Sequence, residues 1–187
     1  VHLLVSSHPE DHIDRTKEAL SHLKTILGDE TIACDYAGMV RLGKIHDKQN
    51  GNKTTDDNAL YKIGVSQFKV DSSEFFDWYK SEKWLLKHSL LAIAGGNDGL
   101  AGIRNDSGFK QVHDKLVKQT HFVFSGQSSD SAYFSGKGPD DVKVIESIYG
   151  CLKPCLHGCD AHDIATVLEP VDKKYCWIKA YPCFDGL

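Results

Sequence analysis

The stretch Cys155-Leu156-His157-Gly158-Cys159-Asp160-Ala161-His162-Asp163 decides how this chain is read. Residues 152 to 157 form a short, mostly apolar run, expected to be a strand. Gly158 gives the backbone freedom to turn where that strand ends. Asp160 and His162, two positions apart, then offer an oxygen and a nitrogen ligand from one turn, a pair suited to a divalent metal. Polar groups on a turn after a strand are what the carboxyl edge of an α/β sheet presents to a ligand.

Working outward, the same pattern repeats upstream. His121 to Gly126 (HFVFSG) reads as a strand ending in Ser125-Gly126, preceded by a helix from Phe109 to Gln119. Leu90 to Ala94 (LLAIA) reads as a buried strand running into Gly95-Gly96-Asn97-Asp98-Gly99. That loop lacks the Lys-Ser/Thr of a P-loop and the spacing of a dinucleotide fingerprint. Asn97 and Asp98 are candidate polar groups at the strand's end, and the same two residues equally suit a tight turn. Val1 to Ser6 (VHLLVS) reads as a further buried strand carrying His2.

The segments between are helical or irregular. Ser7 to Glu10 carries cap signals for a helix whose apolar positions run from Ile13 to Leu27 and stop at Gly28. His8, His12 and His22 on it are read as solvated. Met39, Val40 and Leu42 suggest a short element, and the polar run from Lys44 to Asp57, His46 included, reads as a mobile loop. Helices are expected over Ala59–Phe68 and from Ser72 or Ser73 through Leu85, with Phe75, Phe76, Trp78 and Tyr79 in the core. Gln127 to Pro139 reads as a Ser/Gly-rich loop, Asp140 or Asp141 as a helix start, Tyr175 to Ala180 as a strand, and Pro182 as the opening of a last helix. The alternation predicts an α/β fold with mostly parallel strands. Asn97, Asp98, Ser125, Asp160 and His162 then all fall at the carboxyl ends of strands.

Composition bounds the function. A chain of 187 residues with 41% hydrophobic residues can bury one core, and residues 1–187 are read as one domain. A net charge of -4 gives no whole-chain basic footprint for nucleic acid, although a local groove could still be basic. No apolar run reaches membrane-spanning length and the N-terminus is not a signal peptide, so a cytoplasmic location is expected. The six cysteines are accordingly expected as reduced thiols. Val1 in mid-strand and Leu187 in what reads as a first helical turn suggest an excerpt of a longer protein.

Two metal readings compete on the opening stretch. One uses Asp160 and His162 as ligands of a catalytic divalent cluster. The other uses Cys151, Cys155 and Cys159 with His157 or His162 as a structural zinc or iron–sulfur site. Their C-x3-C-x3-C spacing departs from the usual knuckles, and a strand would point alternate residues to opposite faces.

The phrases Lys153-Pro154-Cys155-Leu156-His157-Gly158-Cys159-Asp160-Ala161-His162, Tyr175-Cys176-Trp177-Ile178-Lys179-Ala180 and Pro182-Cys183-Phe184-Asp185-Gly186-Leu187 together resemble the PHP (polymerase and histidinol phosphatase) domain. The likeness is to the TrlF-type proteins, where that domain precedes an SMC-like or AAA-like ATPase. The resemblance implies a distorted (β/α) barrel, here incomplete at both ends. It implies two or three Mn, Zn or Fe ions and a bridging hydroxide that attacks a phosphoester. Asp160 and His162 match the last ligand pair of that motif and would be the catalytic centre. His2 matches a histidine that follows the family's glutamate, and Asn97 or Asp98 stands where another ligand is placed. Lys179 would contact the substrate. The implied partners are nucleic acid as substrate and an ATPase domain of the same protein, in an oligomer. The family's opening His-x-His motif, its next His and its glutamate are not in this sequence. Cys159 stands where Ser is usual, and Tyr181 where Asp is common. Two alternatives follow: a catalytically inactive scaffold that docks a partner, and a phosphomonoesterase of the histidinol-phosphate kind.

Overall fold

A computed structural model describes residues 1–6, 10–96, 99–103, 107–158, 161, 163–170, 173 and 175–181, with Ser107 described by its backbone alone. The chain divides into two compact units, one made of Val1–Leu4 with Leu90–Leu187 and the other of Val5–Ser89. The expected α/β class is what the structure has.

In the first unit, β1 (His2–Val5), β4 (Ser89–Ala94), β5 (Phe122–Phe124) and β6 (Cys155–Leu156) form one sheet in the order β1-β4-β5-β6. β4 and β5 run parallel with Ala94 opposite Phe124, and β5 and β6 run parallel with Phe124 opposite Leu156. The two central strands, β4 and β5, are apolar runs and mostly buried, as suits parallel strands. The described strands do not close into a barrel.

Helices α6 (Ser107–Gln119), α7 (Ser128–Phe134) and α8 (Val142–Tyr149) lie in the crossovers. Leu116 and Val117 of α6, Phe134 of α7 and Ile145 and Tyr149 of α8 join Leu91, Ile93 and Val123 in the core. Asp141 caps α8 by accepting from the Val144 N–H at 3.0 Å, and Gly150 ends it at a φ of +84°. α7 occupies part of the expected 127–139 loop, because Ser128, Ser129 and Asp130 start a helix as readily as they fill a turn.

Two polar side chains fasten this unit, His121 at its surface and Lys153 inside it. The His121 Nδ1 accepts the Leu91 N–H at 2.9 Å, while the His121 N–H donates to the Leu91 carbonyl at 2.8 Å. Burial holds this imidazole below its ordinary pKa. Lys153, only 4% exposed, donates from Nζ to the Thr120 carbonyl at 2.6 Å and the Lys118 carbonyl at 3.4 Å. A cation thus meets the unpaired carbonyls where α6 ends.

The second unit holds α1 (Asp11–His22), a hairpin of β2 (Lys24–Leu27) and β3 (Glu30–Ala33), and then α2 (Tyr36–Gln49), α3 (Asp57–Gln67), α4 (Ser72–Ser81) and α5 (Lys83–His88). The first helix does not reach Gly28. Gly28 lies in the tight turn of the hairpin at a φ of +61°, with Leu27 opposite Glu30. α2 takes in Lys44 to Gln49, the first part of the loop expected from Lys44 to Asp57. Asp35 caps it by accepting from the Gly38 N–H at 2.7 Å. Near its end the buried Asp47 accepts from the Thr54 N–H at 2.8 Å and the Thr54 hydroxyl at 3.0 Å, which orders the polar segment that follows.

α2 and α3 approach backbone to backbone. A methyl group on Gly43 would lie 1.9 Å from the Leu60 carbonyl oxygen, and one on Gly64 would lie 1.8 Å from that of Met39. Phe76, Trp78 and Tyr79 are buried as expected, and the Trp78 indole N–H donates to the Ala19 carbonyl at 3.0 Å. His12 departs from expectation. It is 7% exposed, with its ring centroid 4.9 Å from that of Trp84 and 4.8 Å from that of His88.

The expected strand at Tyr175 to Ala180 is absent from the described residues there, which pair with no strand. The caps expected at Ser7 and Pro9 and the helix expected from Pro182 lie outside the described residues.

Candidate functional site

Because β4, β5 and β6 are parallel and in register, Gly95, Ser125 and His157, which follow their last residues, share one edge of the sheet. Gly95 N–H donates to the Phe124 carbonyl at 2.8 Å, and Ser125 N–H donates to the Leu156 carbonyl at 2.9 Å. These bonds carry the pairing past the strand ends and fix the backbone from which the polar groups project.

Ser125 is the most constrained of them. Its hydroxyl donates to Asp130 Oδ2 at 2.6 Å and accepts the Gln127 N–H at 3.1 Å. Asp130 comes from the first turn of α7, where an acidic side chain is favoured by the helix dipole. The imidazole of His157 lies beside Gly126, where an added methyl group would stand 3.5 Å from its Cγ. The His157 backbone N–H donates to the Cys176 thiol at 3.0 Å, so residues 175–177 run alongside the end of β6. Ser125, Gln127, Ser131, His157, Cys176 and Trp177 line a cleft of about 420 Å³ here.

The thiols of Cys155 and Cys176 border it. Burial first, then the negative charges of Asp130 and of Cys176 when ionised, pushes Cys155 up to about 11. With no metal bound, Cys155 is a protonated thiol at neutral pH. Cys151 is exposed, and Cys155 is half-buried at the cleft. The C-x3-C-x3-C site gains no support from these two.

Of the residues predicted from sequence, His2 is described at this sheet. Its ring stands edge-on to that of Phe124, with centroids 5.2 Å apart and planes at 89°. It is therefore near the carboxyl end of β5. Desolvation lowers its pKa and favours the neutral imidazole, the form that binds a metal. Ser125 is at the edge as expected. Lys179 is exposed on the segment after the cleft-lining Trp177 and is not itself in that lining. Asn97, Asp98, Asp160 and His162 lie outside the described residues, as does Cys159. Among the described residues no group of three or more His, Cys, Asp or Glu is arranged to hold a metal ion.

Sequence reasoning missed Asp130, Cys176 and the placement of His157. Asp130 had one legible signal, an acid in the first turn of a helix opened by Ser128-Ser129. Cys176 had none, since its role depends on a contact across 19 positions. No helix among the described residues is long and apolar enough to cross a membrane.

Neither the known protein families, nor curated proteins, nor solved structures give a match to this chain.

Proposed function

We propose that this chain is a metal-dependent phosphoesterase module, acting on phosphodiesters of nucleic acid beside an ATPase domain of the same protein. One observation carries the reading. β6 ends at Leu156, four positions before Asp160, at the edge where Ser125 and His157 already line a polar cleft. Ligand and catalytic groups of open parallel sheets gather at that edge. In this reading the four-stranded sheet is one sector of the distorted barrel implied by the resemblance.

Asp160, His162 and His2, with Asn97 or Asp98, supply carboxylate, imidazole and amide donors. This set suits Mn, Zn or Fe ions, and its members other than His2 lie outside the described residues. Bound divalent ions would lower the pKa of water and neutralise the oxygens of the phosphoester. The protein's own groups do the rest. Asp130 holds the Ser125 hydroxyl in one orientation, which leaves a defined polar wall for the substrate. The His157 imidazole, on the same cleft, is suited to give a proton to the leaving oxygen. Lys179 attracts the phosphate from outside the cleft.

Hydrolysis of bis(p-nitrophenyl) phosphate with added Mn²⁺ tests this reading. Asp160→Ala and His162→Ala are expected to abolish turnover. His157→Gln is expected to lower kcat by about 100-fold, in the range of a lost proton donor. Full turnover in Asp160→Ala would sink the proposal.

A further inference from the structure

A second cavity, of about 490 Å³, lies between the loop after β4, α6 and α7. Its size is in the range of small-molecule sites. One wall is apolar, with Leu100, Ala101 and Ile103. The other carries Asp130, His113 and the ring of Tyr133. Among the described residues that line it there is no lysine or arginine.

The polar groups on that wall are held in place. Asp130 accepts the Ser125 hydroxyl through Oδ2 at 2.6 Å and takes part in none of the ion pairs among the described residues. His113, whose side chain is 11% exposed, has Nδ1 3.3 Å from Asp114 Oδ1. Asp114 is anchored in turn by the Tyr149 hydroxyl at 3.2 Å and by Lys110 at 3.4 Å. The Tyr149 hydroxyl also meets that of Tyr133 at 3.3 Å, so the ring facing the cavity belongs to the same network. Gly95 keeps the space beside Asp130 open, because a methyl group there would stand 3.2 Å from Oδ2.

A carboxylate without an internal cation favours a ligand that brings one. An anionic ligand would meet the Asp130 carboxylate, and the basic group among the described lining residues, His113, already stands beside Asp114. The described lining of this cavity shares no residue with that of the cleft beside His157, so we treat it as a separate site. From these features we infer that it binds a small molecule with a primary ammonium group on a short apolar body. The ammonium pairs with Asp130, and the body packs on Leu100, Ala101 and Ile103.

Titration of the whole chain with phenethylamine, followed by backbone amide NMR and calorimetry, tests this. Phenethylamine is expected to bind saturably and to shift the amides of Gly95, Ala101, Asp130 and Tyr133. 2-Phenylethanol is expected to bind at least about tenfold more weakly, and 3-phenylpropanoate not at all. Asp130→Asn should reduce the amine's affinity by about tenfold or more while leaving that of the alcohol unchanged. If Asp130→Asn does not fold, the wild-type shift map and the amine-over-alcohol preference decide alone. Equal affinity for amine and alcohol, shifts centred elsewhere, or unchanged amine binding in a folded Asp130→Asn protein would overturn the inference.

Discussion

Glycine does opposite things in the two units. Between α2 and α3, Gly43 and Gly64 remove side chains so that backbones can touch, and added methyl groups would lie 1.9 and 1.8 Å from carbonyl oxygens. At the sheet edge, a methyl group on Gly95 would meet the Ser125 Cβ at 3.1 Å and Asp130 Oδ2 at 3.2 Å. A methyl group on Gly126 would meet the His157 ring at 3.5 Å. The first pair closes space against immovable backbone. The second leaves room in front of polar side chains that can shift. A glycine's neighbour, more than its burial, separates a packing role from a site role.

Substitutions can break this contrast. Gly43→Val places three carbons where the Leu60 carbonyl stands, so the helices must separate. A loss of about 3 kcal/mol is expected in urea denaturation followed by far-UV circular dichroism. A loss below about 1 kcal/mol would show that the α2–α3 contact is not tight.

A smaller effect, with a pH signature, belongs to the sheet. His121 accepts the Leu91 N–H only when its Nδ1 is unprotonated. Burial lowers its folded pKa below the ordinary histidine value, so the folded state prefers the neutral ring. That contribution is fully present above the unfolded pKa and is lost as pH falls through the lowered value. His121→Gln should cost about 1 kcal/mol at neutral pH and flatten the acid-side decline of stability. An unchanged decline would assign the pH dependence to other groups.

The smallest effect is expected at Gly95. Gly95→Ala should cost less than about 1 kcal/mol in the same denaturation assay, because its contacts with Ser125 Cβ, Asp130 Oδ2 and the Phe124 carbonyl oxygen, at 3.1, 3.2 and 3.3 Å, need only a small shift. A cost equal to that of Gly43→Val would erase the distinction between the two kinds of glycine.

The sequence exposes the sheet more readily than the helical unit. Leu90–Ala94 and His121–Phe124 are unbroken apolar runs ended by Gly or Ser-Gly, and those runs are β4 and β5. α2 is hidden because its buried face includes Gly43 and Asp47, residues that ordinarily mark loops. Their helical use depends on α3 and on Thr54, which lie beyond the end of the helix itself. The β2–β3 hairpin is hidden because Ile26 and Leu27 continue the apolar spacing of α1, while Gly28 fits a helix stop and a tight turn equally well. At Tyr175 to Ala180 the apolar content suggested a strand, yet Trp177 is 93% exposed and no described strand pairs with it. Strand character without a partner does not make a strand.

The candidate site was legible in one half. Ser125 and the end of β6 follow from strand ends, which local pattern reveals. Asp130 and Cys176 reach the cleft through a helix start and a chain crossing, and neither leaves a periodic trace. His12 was misplaced for a related reason: its burial comes from Trp84 and His88, more than 70 positions away.

The most direct test of the central claim is the metal content of the dialysed protein after loading with Mn²⁺ or Zn²⁺, measured by mass spectrometry of the ions. The account predicts bound metal in the wild-type chain and its loss in Asp160→Ala and His162→Ala, with folding unchanged by circular dichroism. Equal metal content in all three proteins, or none in the wild type, would contradict it.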